Sequence, residues 1–158
     1  NDGLSRYVKI DYFFSQIINQ SLDNQKRTNL LKEYGAICSK KLDDKQLLIM
    51  DSIKFISNNY NHKNFDIASG SDNNELNRLC MSLGITSFFN SINGSPEVKK
   101  DIVRRIIIEN QYINKETCLI GDSINDYDAA IFNQIQFFGF NNNKLKKEKK
   151  GIYLDNIS

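Results

Sequence analysis

The sequence has no tryptophan, one proline, one histidine and three cysteines among its 158 residues. The single His62 lies in the polar stretch NNYNHKN with no second histidine or cysteine nearby, which excludes a histidine-based metal cluster and reads as a surface turn. Cys38, Cys80 and Cys118 are odd in number, far apart and without CxxC spacing. That pattern argues against a disulfide framework and for free thiols in a reducing cytoplasm, with Cys118 a core residue of a strand. No apolar run approaches the length needed to span a bilayer as a helix, and no signal-peptide pattern is visible. A formal charge of +2 is too small to argue for nucleic acid or a membrane surface as partner. The basic run NNNKLKKEKK, Asn141 to Lys150, lacks the interleaved aromatics that base stacking needs and reads as a solvated tail. There is no internal repeat and no glycine-rich dinucleotide fingerprint.

What is present is the composition of a globular chain, 40% hydrophobic and 25% charged, long enough to bury a real core. Its first part is helical. Ile10, Phe13, Phe14, Ile17 and Ile18 recur at helical spacing after Ser5; Leu30, Leu31 and Tyr34 form a second stripe that ends at Gly35. A third helix is predicted from about Asp43 to Asn59, and all three stripes read as core-facing. From residue 58 onward the pattern alternates. Strands are predicted at Phe65–Ser69, Ser87–Ile92, Thr117–Gly121 and Ile135–Phe140, with helices at Asp72–Leu83, Pro96–Asn110 and Asn125–Asn133 between them. The closing GIYLDNIS offers a last edge strand. Strand and helix in regular alternation predict an α/β fold, a Rossmann-like three-layer parallel sheet, preceded by a small helical subdomain over residues 1–57.

Three junctions carry chemistry. In CLIGDSINDYDAA, Cys118 to Ala130, an apolar strand breaks at Gly121 and releases Asp122 and Asp126 into a helix start. Carboxylates one helical turn apart repel unless a cation lies between them, and Mg2+ prefers such oxygen ligands; Asp and Ser in these places also make ordinary helix caps. In NFDIASGSDNNEL, Asn64 to Leu76, a short strand leads to Ser69, Gly70 and Ser71, a hydroxyl with backbone N–H groups that suits a phosphate. In GSPEVKKDIVRRIII, Gly94 to Ile108, Ser95 reads as a helix cap, Pro96 as the first helical residue and Lys99 as an ammonium one turn in.

In this order, IASGS with Ser69, SPEVK with Lys99 and GDSIND with Asp122 and Asp126 resemble the second, third and fourth motifs of the haloacid dehalogenase superfamily. NDGLSRY, Asn1 to Tyr7, resembles the Gly-x-Ser-Arg loop of the helical cap in the beta-phosphoglucomutase and phosphoglycolate phosphatase branch, with Arg6 presented to the substrate. The superfamily's first motif, DxDG, which carries the nucleophilic aspartate, has no counterpart here. The expectation is therefore a fragment, inactive by itself, with that motif on a missing leading segment.

The resemblance implies a phosphatase that acts on a small phosphorylated metabolite through an aspartyl phosphate. It assigns Ser69, Lys99 and Asp122 to catalysis, Ser69, Gly70, Arg6 and Lys99 to substrate binding, and Asp122 and Asp126 to Mg2+, with Asp126 orienting the motif's loop. A phosphomutase of the beta-phosphoglucomutase type, or a nonenzymatic phosphate-binding module, fits the same motifs. The expected state is a monomer or weak homodimer.

Overall fold

Ser5, extended at φ −63° and ψ 154°, takes the Val8 N–H on its hydroxyl and starts the first helix, α1 (Arg6–Tyr12). The computed structural model describes residues 4–148 and 150–157. After α1 comes a π-helical turn, Phe13–Ile17, and then α2 (Asn24–Leu42), capped by Asp23 on the Lys26 N–H. Gly35 was expected to end this helix, yet α2 runs through it and buries it. The predicted third helix is divided: a short 3-10 turn at Lys45–Leu47 precedes α3 (Met50–Asn59). The three apolar stripes do not close a core among the described residues. Phe13 is 48% exposed and Ile17 60%, and the helical part reaches one later helix through the polar contacts Arg6–Glu75 and Asp43–Ser82.

The second part alternates as its pattern predicts, with shifted boundaries. β1 (Asp66–Asp72) leads to α4 (Asn73–Leu83), where Asp72 accepts from the N–H groups of Asn74 and Glu75 and Gly84 closes the helix at φ 74°. β2 comes later than expected, at Ser91–Ser95, because Thr86–Phe88 forms a 3-10 turn and the Phe88 ring packs on Tyr60 at 5.3 Å. This lateness has a consequence at the next junction. Ser95 stays in the strand, paired with Asp72, rather than capping; Val98 is the extended residue before α5 (Lys99–Glu109), so Lys99 is the first helical residue and Pro96 lies outside. β3 (Cys118–Gly121), α6 (Ile124–Phe132) and β4 (Gln136–Phe140) follow. The basic run is a folded element and not a tail: Asn142 caps α7 (Asn143–Lys147), and Leu145 is buried. The edge strand expected from GIYLDNIS is β5 (Ile152–Leu154).

All strand pairs are parallel, and they form two sheets, β1-β2 and β3-β4-β5. This is a parallel α/β arrangement of the Rossmann-like type. Val103 of α5, Ala129 and Ala130 of α6, Phe137 of β4, and Ile135 and Leu145 make one cluster, on which Ala68 of β1 and Leu119 of β3 both pack. The two sheets therefore share a core. Because β2 lies beyond β1 and β4 beyond β3, the chain reverses its direction of travel between β1 and β3, and the carboxyl ends at such a switch point are where ligands bind in open α/β sheets. The edges of β1 and β3 at this switch are unpaired among the described residues, and Cys118, expected in the core, is exposed.

Candidate active site

The switch point opens into a cavity of about 290 Å³, lined by Ser69 and Gly70 after β1, Lys99 at the start of α5, Asp122 after β3, and Arg6 from α1. Residues separated by more than a hundred positions thus meet at one place. Asp126, one turn into α6, lies beneath it.

Ser69, Gly70 and Ser71 stand out of the β1 ladder: Ala68 pairs with Asn93 and Asp72 with Ser95, so β1 spends two more residues than β2 over the same step. The bulge turns the Ser69 hydroxyl back to accept the Ser71 N–H at 3.1 Å. Gly94 makes room for it, since a Cβ there would lie 2.5 Å from the Ser71 carbonyl oxygen. Backbone N–H groups drawn out of a ladder next to a helix start suit an anion.

Lys99 is 9% exposed and donates to Oδ1 of Asp126 at 2.5 Å. Oδ2 of Asp126 accepts from the Ser123 N–H at 3.0 Å and the Ser123 hydroxyl at 2.6 Å, which closes a capping box at the start of α6. Both oxygens of Asp126 are therefore occupied by the protein itself. Gly121 matters for this reason more than for a turn: a Cβ there would stand 2.3 Å from Cγ of Asp126.

Asp122 differs from Asp126 in every respect. It is exposed at the cavity, and its carboxylate has no ion-pair partner among the described residues, while its backbone carbonyl accepts from the Asn142 amide at 2.6 Å. Asn142 is itself held by Tyr153, whose hydroxyl accepts the Asn142 N–H at 3.1 Å, so α7 and β5 brace the Asp122 loop. Sequence reasoning missed that brace, because nothing local in an Asn-rich run signals a contact twenty positions back.

Arg6 is 8% exposed and forms a bidentate pair with Glu75 of α4, at 2.7 and 2.6 Å, with its guanidinium 5.4 Å from the Tyr34 ring centroid. Hydrogen bonding to Glu75 raises the Arg6 pKa further above its ordinary value. Beside it the Tyr7 hydroxyl donates to Asp72 at 3.2 Å, and burial, then the Asp72 charge, pushes that phenol above its ordinary value. Farther along, Arg78 donates to Asp43 at 3.2 Å and the Ser82 hydroxyl does so at 2.6 Å. The Ser82 bond first, and Arg78 second, hold the Asp43 carboxyl below its ordinary value. Glu75 was not singled out from the sequence; its one local signal is its place three residues after the cap Asp72. Gly3 of the Gly-x-Ser-Arg likeness lies outside the described residues.

Mg2+ needs an octahedron of oxygens. Among the described residues no three His, Cys, Asp or Glu side chains gather closely enough to hold a metal ion, and Asp126 is committed to Lys99 and Ser123. Asp122 supplies one carboxylate. The residues present do not by themselves make a magnesium site.

The model of the haloacid dehalogenase-like hydrolase family matches residues 7–140. Among solved structures, a beta-phosphoglucomutase from Clostridium difficile is 17% identical at a TM-score of 0.78, over 98% of this chain and 72% of that one. A predicted phosphoglycolate phosphatase from Haemophilus somnus is 14% identical at 0.65, over 96% and 67%. A haloacid dehalogenase-like hydrolase from Streptococcus pneumoniae is 17% identical at 0.66, and the chain spans 66% of its length. At such identities the likeness is one of fold. A search of curated protein sequences gave no match. No helix among the described residues is long and apolar enough to cross a membrane.

Proposed function

We propose, from the premise that the chain belongs to the haloacid dehalogenase-like hydrolase family, that its cavity binds the phosphoryl group of a small phosphorylated metabolite and serves phosphate-ester hydrolysis in the cytoplasm. One observation carries this reading: a bulged strand end with the Ser69 hydroxyl, a buried lysine and an exposed aspartate, from three separate strand-to-helix junctions, line the same cavity.

In this reading a nonbridging phosphoryl oxygen accepts from Ser69 and the amide of Gly70. The Lys99 ammonium, which gives one N–H to Asp126 and lines the same cavity, keeps two donors for the phosphoryl oxygens, where charge grows in the transition state. Asp126 is a positioning residue; it fixes the Lys99 ammonium and ties it to the α6 cap. Arg6 lines the cavity from the helical segment, where the N–H donors that Glu75 does not take can meet the far end of the metabolite. The attacking group is not among these residues. β1 and β3 each keep an edge unpaired among the described residues, and in this reading a further parallel strand between them would bring the aspartate nucleophile that forms the aspartyl phosphate. Asp122, exposed at the cavity, would supply one oxygen ligand to a magnesium site whose other ligands are not among these residues.

The test is phosphate release by the intact protein across sugar phosphates, phosphoglycolate and nucleotides. Asp122→Asn and Ser69→Ala are each expected to lower turnover by about 10²-fold or more, the usual effect of removing one charge-stabilising group. Undiminished turnover in Asp122→Asn would remove its assignment.

A further inference from the structure

Glu75 and Arg6 meet on the cavity wall. Both Glu75 oxygens face Arg6, at 2.7 and 2.6 Å, so the guanidinium charge is already answered before any ligand arrives. The pair is built into the fold. α2 crosses directly over it at Gly35, where any Cβ would lie 2.0 Å from Oε1 of Glu75 and 2.8 Å from Nη1 of Arg6. Of the other cations on the cavity wall, Lys99 is paired with Asp126 and Arg78 with Asp43. Lys9, one turn after Arg6, has no acidic partner among the described residues, but it is exposed, and water and salt screen an exposed ammonium.

The guanidinium has five N–H donors and the pair uses two, while the Glu75 carboxylate, 32% exposed, keeps free lone pairs. Donors and acceptors side by side, with no net buried charge, match hydroxyl groups, each of which can donate to Glu75 and accept from Arg6. A second anion would meet a carboxylate at close range and would have to displace it.

We propose that Glu75 is a specificity-determining residue that makes the cavity select phosphate monoesters whose far end is uncharged and hydroxyl-bearing, and reject those with a second anion. The inference rests on the phosphate-binding reading above and deepens it.

The experiment titrates the chain with glycerol 3-phosphate, 2-phosphoglycolate and ethyl phosphate, followed by amide shifts in NMR spectra, on the wild type and Glu75→Gln. Wild type is expected to bind glycerol 3-phosphate at least about fivefold more tightly than 2-phosphoglycolate, with ethyl phosphate weaker than glycerol 3-phosphate. Glu75→Gln frees the Arg6 charge, and the ratio should shift toward 2-phosphoglycolate by about tenfold or more. The wild-type order is decisive even if the variant does not fold: a preference for 2-phosphoglycolate overturns the inference. An unchanged ratio in a folded Glu75→Gln overturns it as well. If ethyl phosphate binds and the three esters are not distinguished, the role of Glu75 fails and the phosphate site stands; if none of them binds, both fail.

Discussion

Replacing Lys99 by Met removes one half of the most deeply set ion pair in the site and leaves Asp126 with a charge that water cannot reach. The side chains are 8% and 6% exposed and 2.5 Å apart. Stripping one partner from a buried pair costs about 3–5 kcal/mol, against less than about 1 kcal/mol for an exposed pair. Much of that loss is the stranded carboxylate, not the lost attraction. Asp126→Asn leaves an amide oxygen that can still accept from Ser123, so the double variant Lys99→Met with Asp126→Asn keeps the α6 cap with no charge stranded. Urea unfolding followed by circular dichroism at neutral pH on the wild type, the two single variants and the double variant closes the cycle. The expected coupling is at least about 2 kcal/mol, with the double variant more stable than the sum of the single losses predicts. Strictly additive losses, or a loss below about 1 kcal/mol in Lys99→Met, would refute the reasoning, because they would mean that the pair is hydrated in solution.

Two further outcomes follow from the geometry. Gly121→Ala drives a methyl group into Asp126, which three protein groups hold in place, and should cost about 1–3 kcal/mol in urea unfolding; a neutral substitution would show that the α6 cap can shift freely. Asp43 has a depressed pKa in the folded chain, so its contribution is complete above the ordinary aspartate range near pH ~4 and is lost as pH falls through the lower folded value. Asp43→Asn should therefore flatten the acid limb of the stability-versus-pH profile below about pH 4, and an unchanged limb would show that the contacts with Ser82 and Arg78 do not persist in solution.

The residues themselves determined the alternation of strand and helix, the parallel pairing and the identity of the three junctions, because these follow from short-range rules. Apolar runs too short to be helices have few alternatives to a strand, and Gly121 ends one, whereas β1 passes through Ser69-Gly70-Ser71 as a bulge and reaches Asp72. Boundaries failed where a distant partner intervened. Ser95 reads locally as a cap, but its place opposite Asp72 keeps it in β2. Leu145, an isolated apolar residue in a basic run, has no periodicity to announce it, yet the cluster around Phe137 buries it and folds the run into α7. Gly35 looks like a helix end because glycine often is one, whereas its actual task is to let α2 pass over a salt bridge between residues 69 positions apart.

The division of labour between the two acidic residues was likewise tertiary. Spacing placed Asp122 and Asp126 on one side of a junction and could not say which of them faces the ligand. The approach of α5 settled it: the buried Lys99 claims Asp126 and leaves Asp122 open to the cavity. Local sequence thus supplies the chemical groups and their order. Long-range packing alone decides which charges are spent on each other and which remain for a substrate, since that depends on distances no spacing along the chain encodes.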